Sequence, residues 1–232
     1  MSTIDHTKPE TLPPLVAGER LDRATFHERY EAMPPETRAE LIGGIVCMPS
    51  PLSGDHGSED NRIAGWLFHY CRFTRGLEAM DNVSTLLDDL GEPQPDVVLI
   101  ILPEFGGQTH DDSGYVGGAP ELVVEVSRSS RRTDLGPKLR DYERAGVLEY
   151  LVLALDPDEI FWFRRREGRF VRMEADPQGC YRSEVFPGLW LDPRALFEGD
   201  RKGIIATLDR GLASTEHADF AARLARSKKT RE

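Results

Sequence analysis

The chain has 232 residues, of which 39% are hydrophobic and 30% are charged, and its formal net charge is −11. This composition fits one globular domain with extensions, and it argues against a protein that coats nucleic acid nonspecifically, because such proteins neutralise phosphates with Lys and Arg. The longest apolar run, residues 97–102, is far below the roughly 18 residues that cross a bilayer, and the N-terminus lacks a signal-peptide pattern. We therefore expect a cytoplasmic protein with no membrane association.

Local patterns divide the chain into three segments. Residues 1–20 are polar with scattered prolines and are expected to be disordered, residues 21–200 carry the predicted single domain, and residues 201–232 are expected to form a helical tail with a basic end. Within the domain we predict a helix at 22–33, strands on either side of Gly43-Gly44, a helix at 58–73, strands near 77–87, 97–102 and 122–127, a helix at 135–145, and strands at 149–154, 159–164 and 169–173. This order predicts an α/β fold with a mixed β-sheet core flanked by helices.

The strand at 122–127 carries one carboxylate, Glu125, among valines and a leucine. Because side chains on a strand alternate between its two faces, the apolar residues of this strand fall on both faces. Such a strand is covered on both sides, so a carboxylate on it must be neutralised, paired with a cation or bound to a metal. The sequence must therefore supply a partner for Glu125.

The helix that follows this strand supplies a cation. Thr133 or Asp134 can cap it, and Asp134 is favoured because Pro137 then lies in the first turn, where a missing N–H is harmless. At 100° per residue an apolar stripe faces inwards, and Lys138 lies on the edge of that stripe. Arg140 and Arg144 point the other way. Lys138 is thus the cation of this helix that we expect beside the sheet.

A second carboxylate, Asp96, follows Pro95 and opens the apolar strand at 97–102. Two carboxylates on strands together with a lysine are typical of metal-dependent phosphodiesterases. In such sites hard oxygen ligands hold Mg²⁺, the ion activates water and neutralises the phosphate, and the ammonium assists. This set predicts hydrolysis of phosphodiester bonds.

The order of these residues resembles the PD-(D/E)XK nuclease superfamily. More specifically, the stretches "AELIGGIVCMPSP", "QPDVV" and "EVSRSSRRTDLGPKLRDY" are similar to those of the Uma-type restriction endonuclease family, over about residues 22–195. The third stretch is the most specific of the three. The resemblance implies a restriction-endonuclease-like core, a Mg²⁺ or Mn²⁺ cofactor and DNA as the partner; it leaves open whether the protein forms a homodimer.

The resemblance also assigns candidate site residues. Asp96 and Glu125 match the metal-binding acids, and Glu40 matches an acid of the family's first strand pair, which we expect to be a third ligand. Ser127 departs from the superfamily pattern, because it stands where a lysine is usual, and Lys138 matches a lysine that has moved to the helix. His56 matches a histidine at the start of a helix and is a candidate for substrate binding. Two further residues, Gln94 and Tyr142, are expected near the site without an assigned chemistry.

The basic residues cluster in spite of the negative net charge. They are concentrated in residues 128–144, 164–172 and 223–232. The first cluster follows Glu125 directly, so we predict that its arginines Arg128, Arg131 and Arg132 bind DNA phosphates. A nucleic-acid path along Arg164 to Arg166 is the alternative.

Each of these residues also has a purely structural interpretation. Asp96 after a proline can cap a turn, Glu125 and Lys138 can form a structural ion pair, and His56 can simply begin a helix. Two functions therefore remain: a Mg²⁺-dependent DNA endonuclease, or a binding or regulatory domain with the nuclease fold and little or no activity. Other enzyme classes are disfavoured, because the sequence contains no G-x-S-x-G, P-loop, G-x-G-x-x-G or H-E-x-x-H motif.

Overall fold

The computed structural model describes residues 12–48 and 56–228. The helices of these residues are α1 (Arg23–Glu31), α2 (His56–Phe73), α3 (Arg131–Thr133), α4 (Leu139–Ala145), α5 (Pro193–Phe197), α6 (Arg201–Leu212) and α7 (Thr215–Ser227). The strands are β1 (Glu40–Ile42), β2 (Ile45–Cys47), β3 (Leu77–Asp81), β4 (Thr85–Leu86), β5 (Val97–Ile101), β6 (His110–Asp112), β7 (Tyr115–Gly117), β8 (Leu122–Ser127), β9 (Glu149–Leu155), β10 (Asp158–Arg166), β11 (Arg169–Arg172), β12 (Tyr181–Arg182) and β13 (Trp190–Leu191). No helix within these ranges is both long and apolar enough to cross a membrane.

Six strands form the central sheet, in the order β11-β10-β9-β8-β5-β3. The pair β8 and β9 is parallel, and the other neighbouring pairs are antiparallel. Every residue of β8 is buried, as its apolar residues on both faces predict. The predicted mixed sheet flanked by helices is therefore confirmed.

Helices cover both faces of this sheet. One face packs on α2, α6 and α7 around an edge-to-face pair of Trp66 and Trp162, whose ring centroids are 6.2 Å apart. The other face packs on α4, and Tyr142 of this helix and Tyr150 of β9 are both fully buried there. The region near 77–87 that was predicted to form strands contains two of them: β3 joins the central sheet, and β4 pairs with β7 in a separate three-stranded sheet.

The N-terminal elements form a third, smaller core beside the central sheet. Asp22 caps α1 by accepting a hydrogen bond from the backbone of Thr25, and the hairpin β1-β2 packs against this helix. Arg29 donates to Glu19 and to the carbonyls of Pro13 and Pro14. Thus residues 12–20, part of the segment for which we predicted disorder, contact α1, while residues 1–11 lie outside the described part.

The C-terminal helices α6 and α7 contribute four residues to the main core: Ile204, Leu208, Phe220 and Leu224. Buried His217 fastens α7 to the end of α2, because its ring lies 2.8 Å from the hydroxyl of Thr74 and 2.9 Å from the carbonyl of Leu212. These helices were predicted as a tail, and their contacts place them against the central sheet. Where one domain ends and the tail begins remains a prediction, and residues 229–232 are not described.

Candidate active site

The strand register brings Asp96 and Glu125 together. β5 runs antiparallel to β8 with Val97 opposite Val124, so Asp96, which precedes β5, lies next to Glu125. A carboxylate oxygen of Asp96 accepts a hydrogen bond from the backbone N–H of Val126 at 2.6 Å. This bond to the side chain lies just beyond the last paired residues of β5 and β8, and it holds Asp96 against β8.

Lys138 reaches the same place from the helical layer. Residues Asp134–Lys138 form a π-helical turn between α3 and α4, a wide turn that is often found at functional sites. Pro137 lies inside this turn and lacks an N–H to donate. The ammonium of Lys138 lies 2.9 Å from Glu125 Oε1 and 2.8 Å from Glu40 Oε1. The prediction that Lys138 faces the sheet beside Glu125 is confirmed.

Glu40 comes from the N-terminal hairpin. An isolated bridge between Leu41 and Glu92 ties β1 to the segment that leads into β5. The backbone N–H of Gln94 then donates to Glu40 Oε1 at 2.8 Å. The side-chain amide of Gln94 donates to the hydroxyl of Tyr30 at 2.7 Å and to that of Ser84 at 3.1 Å. Gln94 therefore positions Glu40 and connects the site to α1.

Two tyrosines lie beneath the acids. The hydroxyl of Tyr142, which is fully buried, donates to Glu125 Oε1 at 2.8 Å. The neighbouring Tyr150 donates to the carbonyl of Asp134 at 3.1 Å. The family resemblance placed Tyr142 near the site without an assigned chemistry, and the structure adds its contact with Glu125. One carboxylate oxygen of Glu125 thus accepts from both Tyr142 and Lys138.

Asp134 is a member of the cluster that the sequence interpretation missed. It was predicted to cap the helix, and this is wrong, because α3 begins at Arg131 and Asp134 lies inside the π-helical turn. Its side chain is buried and accepts a 2.6 Å hydrogen bond from Ser130. The spacing of four residues to Lys138 was the signal available in the sequence, since residues i and i+4 are neighbours on a helix.

Burial and crowding of acids determine the charge of this cluster. Burial raises the pKa of Glu125 well above its usual value, and although Lys138 opposes this shift, Asp96, Asp134 and Glu40 add to it. Burial also disfavours the Lys138 ammonium, yet Glu125, Glu40 and Asp134 hold its pKa well above the usual value. Three carboxylates therefore act on one ammonium that stays charged, and with Asp96 beside Glu125 the acids of the cluster outnumber its cation.

The donor set suits a hard divalent cation. Carboxylate oxygens are the protein ligands that Mg²⁺ and Mn²⁺ prefer, and an excess of buried negative charge favours a cation. Within residues 12–48 and 56–228, however, no three or more His, Cys, Asp or Glu side chains are arranged so that they could hold a metal ion. The ammonium of Lys138 lies against Oε1 of both Glu40 and Glu125, so a cation that binds these two oxygens would compete with that ammonium.

The three candidate DNA-binding arginines differ in their surroundings. Arg128 and Arg132 are exposed just beyond the end of β8. Arg131 is half-buried, forms an ion pair with Glu159 and lies over the ring of Phe161, 4.8 Å from its centroid. Arg131 is thus already held by the protein, while the side chains of the other two are exposed.

The remaining candidates lie elsewhere or are not described. In the strand register Arg164 pairs with Glu149, and Glu149 pairs with Leu122, three residues before Glu125. The run from Arg164 to Arg166 therefore extends toward the end of the sheet opposite the acid cluster. His56 begins α2, but its side chain lies outside the part of the chain that the structure describes.

Comparisons with known proteins identify the family and the fold of the chain. The model of the family "Uma2: Putative restriction endonuclease" matches residues 24–194. A crystal structure from Anabaena variabilis, described as "a putative nuclease belonging to DUF820", has the same fold, with a TM-score of 0.58 and 15% sequence identity; the match covers 74% of this chain and 96% of that one. No curated protein matches the sequence.

Proposed function

The chain belongs to the Uma2 restriction endonuclease family, and from this premise we propose that it is a Mg²⁺-dependent endonuclease that hydrolyses phosphodiester bonds of DNA. The observation that carries the proposal is the meeting of Asp96 and Glu125, on adjacent strands, with Glu40 from the hairpin and the ammonium of Lys138. Phosphodiester hydrolysis needs both acids that can bind a metal ion and a nearby positive charge, since negative charge develops on the phosphate while water attacks it.

We assign the acids to the cation. Asp96, Glu125 and Glu40 would hold Mg²⁺ or Mn²⁺ through their carboxylate oxygens. When bound, such an ion would neutralise phosphate charge and make water more acidic. The chain's own groups prepare this binding: Val126 fixes Asp96 by its backbone N–H, Gln94 fixes Glu40, and Tyr142 fixes Glu125.

Lys138 is assigned to the phosphate. Its ammonium reaches two of the acids, so a phosphate held by a cation on these acids would lie within its range. A fixed positive charge there stabilises the transition state, or orients the attacking water through a hydrogen bond. Tyr142 does not titrate at neutral pH, because burial and the neighbouring Glu125 raise its pKa well above its usual value; it positions Glu125 as a neutral donor.

The exposed arginines are assigned to the DNA backbone. Arg128 and Arg132 follow β8 directly and are exposed just beyond the end of that strand nearer to Glu125. Guanidinium groups bind phosphates well, and such contacts position a duplex without reading its sequence. We expect a smaller part for Arg131, because Glu159 already holds its guanidinium. His56 remains a candidate for substrate binding.

A second function, a nuclease-fold domain that binds nucleic acid or a regulatory partner without cutting, is favoured by one observation. The acids are already neutralised in part by Lys138, and Glu125 is only 4% exposed. In an inactive domain this cluster would be a structural ion pair. The two functions make opposite predictions for cleavage.

Cleavage of plasmid and single-stranded DNA, with Mg²⁺, with Mn²⁺ and with a chelator, separates them. The proposal predicts cleavage by the parent in either metal and none with the chelator. Asp96→Asn and Glu125→Gln should abolish cleavage, while Glu78→Gln, which changes an exposed acid on the edge strand β3, should not. A folded parent that binds DNA but leaves it intact in both metals would favour the binding domain.

A further inference from the structure

The position of the lysine between two acids has a consequence for metal entry. We propose that Lys138 is the resident counter-ion of the acid cluster and that it must leave Glu40 and Glu125 when a divalent cation binds, so that metal binding releases its ammonium. This inference rests on the proposed function, because it concerns the regulation of that same site.

The first argument is the geometry of the ion pairs. Lys138 Nζ lies 2.8 Å from Glu40 Oε1 and 2.9 Å from Glu125 Oε1. The three side chains are 7%, 12% and 5% exposed, so solvent screens these contacts little. A cation bound to the same oxygens would come to within about 4 Å of the ammonium, and the two positive charges would repel strongly there. A cation that binds these two oxygens therefore favours departure of the ammonium from them.

The second argument is that the lysine supplies a charge that the cluster needs. In the described part of the chain, the ion pairs of Glu40 and Glu125 are both formed with Lys138. Buried carboxylates that lose their only paired cation are strongly destabilised. A divalent ion would replace the positive charge of the ammonium, so the negative charge of the acids would stay neutralised during the exchange.

The third argument is that the displaced ammonium has another acceptor. Asp134 lies four residues before Lys138 in the same π-helical turn and acts on its charge. The side chain of lysine is long and flexible, so rotation about its own bonds is enough to move the ammonium away from the two glutamates. Released in this way, the ammonium can approach either Asp134 or a bound phosphate.

A Mn²⁺ titration of the metal-free protein, followed by the electron paramagnetic resonance of free Mn²⁺, tests the exchange. Lys138→Met should bind Mn²⁺ more tightly than the parent by about tenfold or more, because the competing charge is gone. Arg140→Met removes an exposed cation from the neighbouring turn of the same helical segment and should bind like the parent. Equal or weaker binding by Lys138→Met would overturn the inference.

A second measurement needs no variant and so does not depend on whether Lys138→Met folds. Brief acylation of amines in the parent, read at each lysine by mass spectrometry, should label buried Lys138 slowly and exposed Lys202 quickly. Saturating Mn²⁺ should accelerate labelling of Lys138 several-fold and leave Lys202 unchanged, while Mn²⁺ that left Lys138 as protected as before would contradict the exchange.

The two proposals fail in different ways. If the parent cuts DNA with metal, but neither the Mn²⁺ affinity nor the labelling changes as described, the counter-ion role is wrong and the nuclease assignment stands. If neither the parent nor Lys138→Met binds Mn²⁺ and no DNA is cut, the nuclease assignment is wrong as well.

Discussion

Two buried glutamates on neighbouring strands, Glu125 on β8 and Glu149 on β9, have different surroundings. Burial raises the pKa of both. Glu149 accepts four hydrogen bonds from neutral donors: Ser183 Oγ at 2.7 Å, Glu184 N at 2.8 Å, Val185 N at 3.0 Å and Trp162 Nε1 at 3.2 Å. Glu125 instead contacts an ammonium and a phenol and lies among other acids.

The difference separates a structural carboxylate from a candidate catalytic one. Glu149 fastens the segment 183–185 to the sheet, and its donors use all of its acceptor capacity. Glu125 sits in a cluster with surplus negative charge, which a cation would relieve. A buried acid with a raised pKa is therefore not by itself evidence of a site; the chemistry of its neighbours is.

The largest expected effect is on DNA cleavage. Glu125→Gln should slow cleavage by about 10³ or more, because it removes a charged ligand from the reacting centre. The isosteric control Glu149→Gln should cut at nearly the parental rate per folded molecule. Single-turnover assays at equal concentrations of folded protein measure both rates. Equal slowing of the two variants would contradict the distinction between the two glutamates.

Lys138 sharpens the comparison, since among the described residues Glu149 forms no ion pair and is affected by Arg164 only through a weaker electrostatic effect. Lys138→Ala should slow cleavage by about 10² to 10³, the scale for removal of one preorganised donor. Adding Ser127→Lys should restore part of the rate, because residue 127 lies two positions along the strand from Glu125, about 6 to 7 Å away.

Two outcomes of that series are informative. Lys138→Ala that cuts as fast as the parent in Mg²⁺ would refute the role of the ammonium. A slow Lys138→Ala without rescue by Ser127→Lys would refute only the idea that strand and helix share one pocket, since a misplaced charge contributes little in a positioned site.

For stability we expect the opposite order: replacement of Glu149 should destabilise the fold more than replacement of Glu125. Glu149→Gln turns an amide N–H₂ toward groups that are all donors, so it should lower the free energy of unfolding by about 2 to 3 kcal/mol. Glu125→Gln removes one of several crowded acids and leaves Lys138 paired with Glu40, so it should lower the free energy of unfolding by less than Glu149→Gln does. Urea unfolding in the presence of a chelator measures both, and a larger loss for Glu125→Gln would mark Glu125 as the structural acid.

Sequence patterns predicted the local half of this comparison. The run of valines around Glu125 predicted a buried acid, and helical spacing placed Lys138 beside it. Glu40 entered only through the family resemblance, because nothing in its own hairpin indicates which strand it faces. Asp134 was misplaced, since the helical segment begins at Arg131, four residues before the predicted start, and Asp134 lies in the π-helical turn that follows.

The non-local half could not be predicted. Glu149 reads as an ordinary strand start, and its donors lie more than thirty residues later in an irregular segment, except for Trp162 on the adjacent strand. Likewise, α6 and α7 follow the residues matched by the family and show a helical pattern, but the core positions they fill depend on α2 and the sheet. The spacing of residues along the chain predicts which face of an element is buried, but it does not predict which distant element packs against that face.

The smallest expected effect concerns the approach of DNA to the Glu125 end of the sheet. Arg128→Ala and Arg132→Ala should each reduce the slope of log affinity against log salt by about one unit, because each removes one phosphate contact. Arg169→Ala, near the Glu149 end, should leave the slope unchanged. Fluorescence anisotropy over a range of salt concentrations measures the slope for each variant. A change of slope in Arg169→Ala alone would place the DNA at the Glu149 end of the sheet instead.

The most direct test of the division between the two glutamates is the Mn²⁺-dependent shift in melting temperature. A ligand that binds only the folded protein stabilises it by mass action, so the parent should melt at a higher temperature in Mn²⁺ than in chelator. We predict that Glu149→Gln, although less stable, keeps the full shift, and that Glu125→Gln and Asp96→Asn lose most of it. Equal shifts in all four proteins would contradict the assignment of the metal to Glu125 and Asp96.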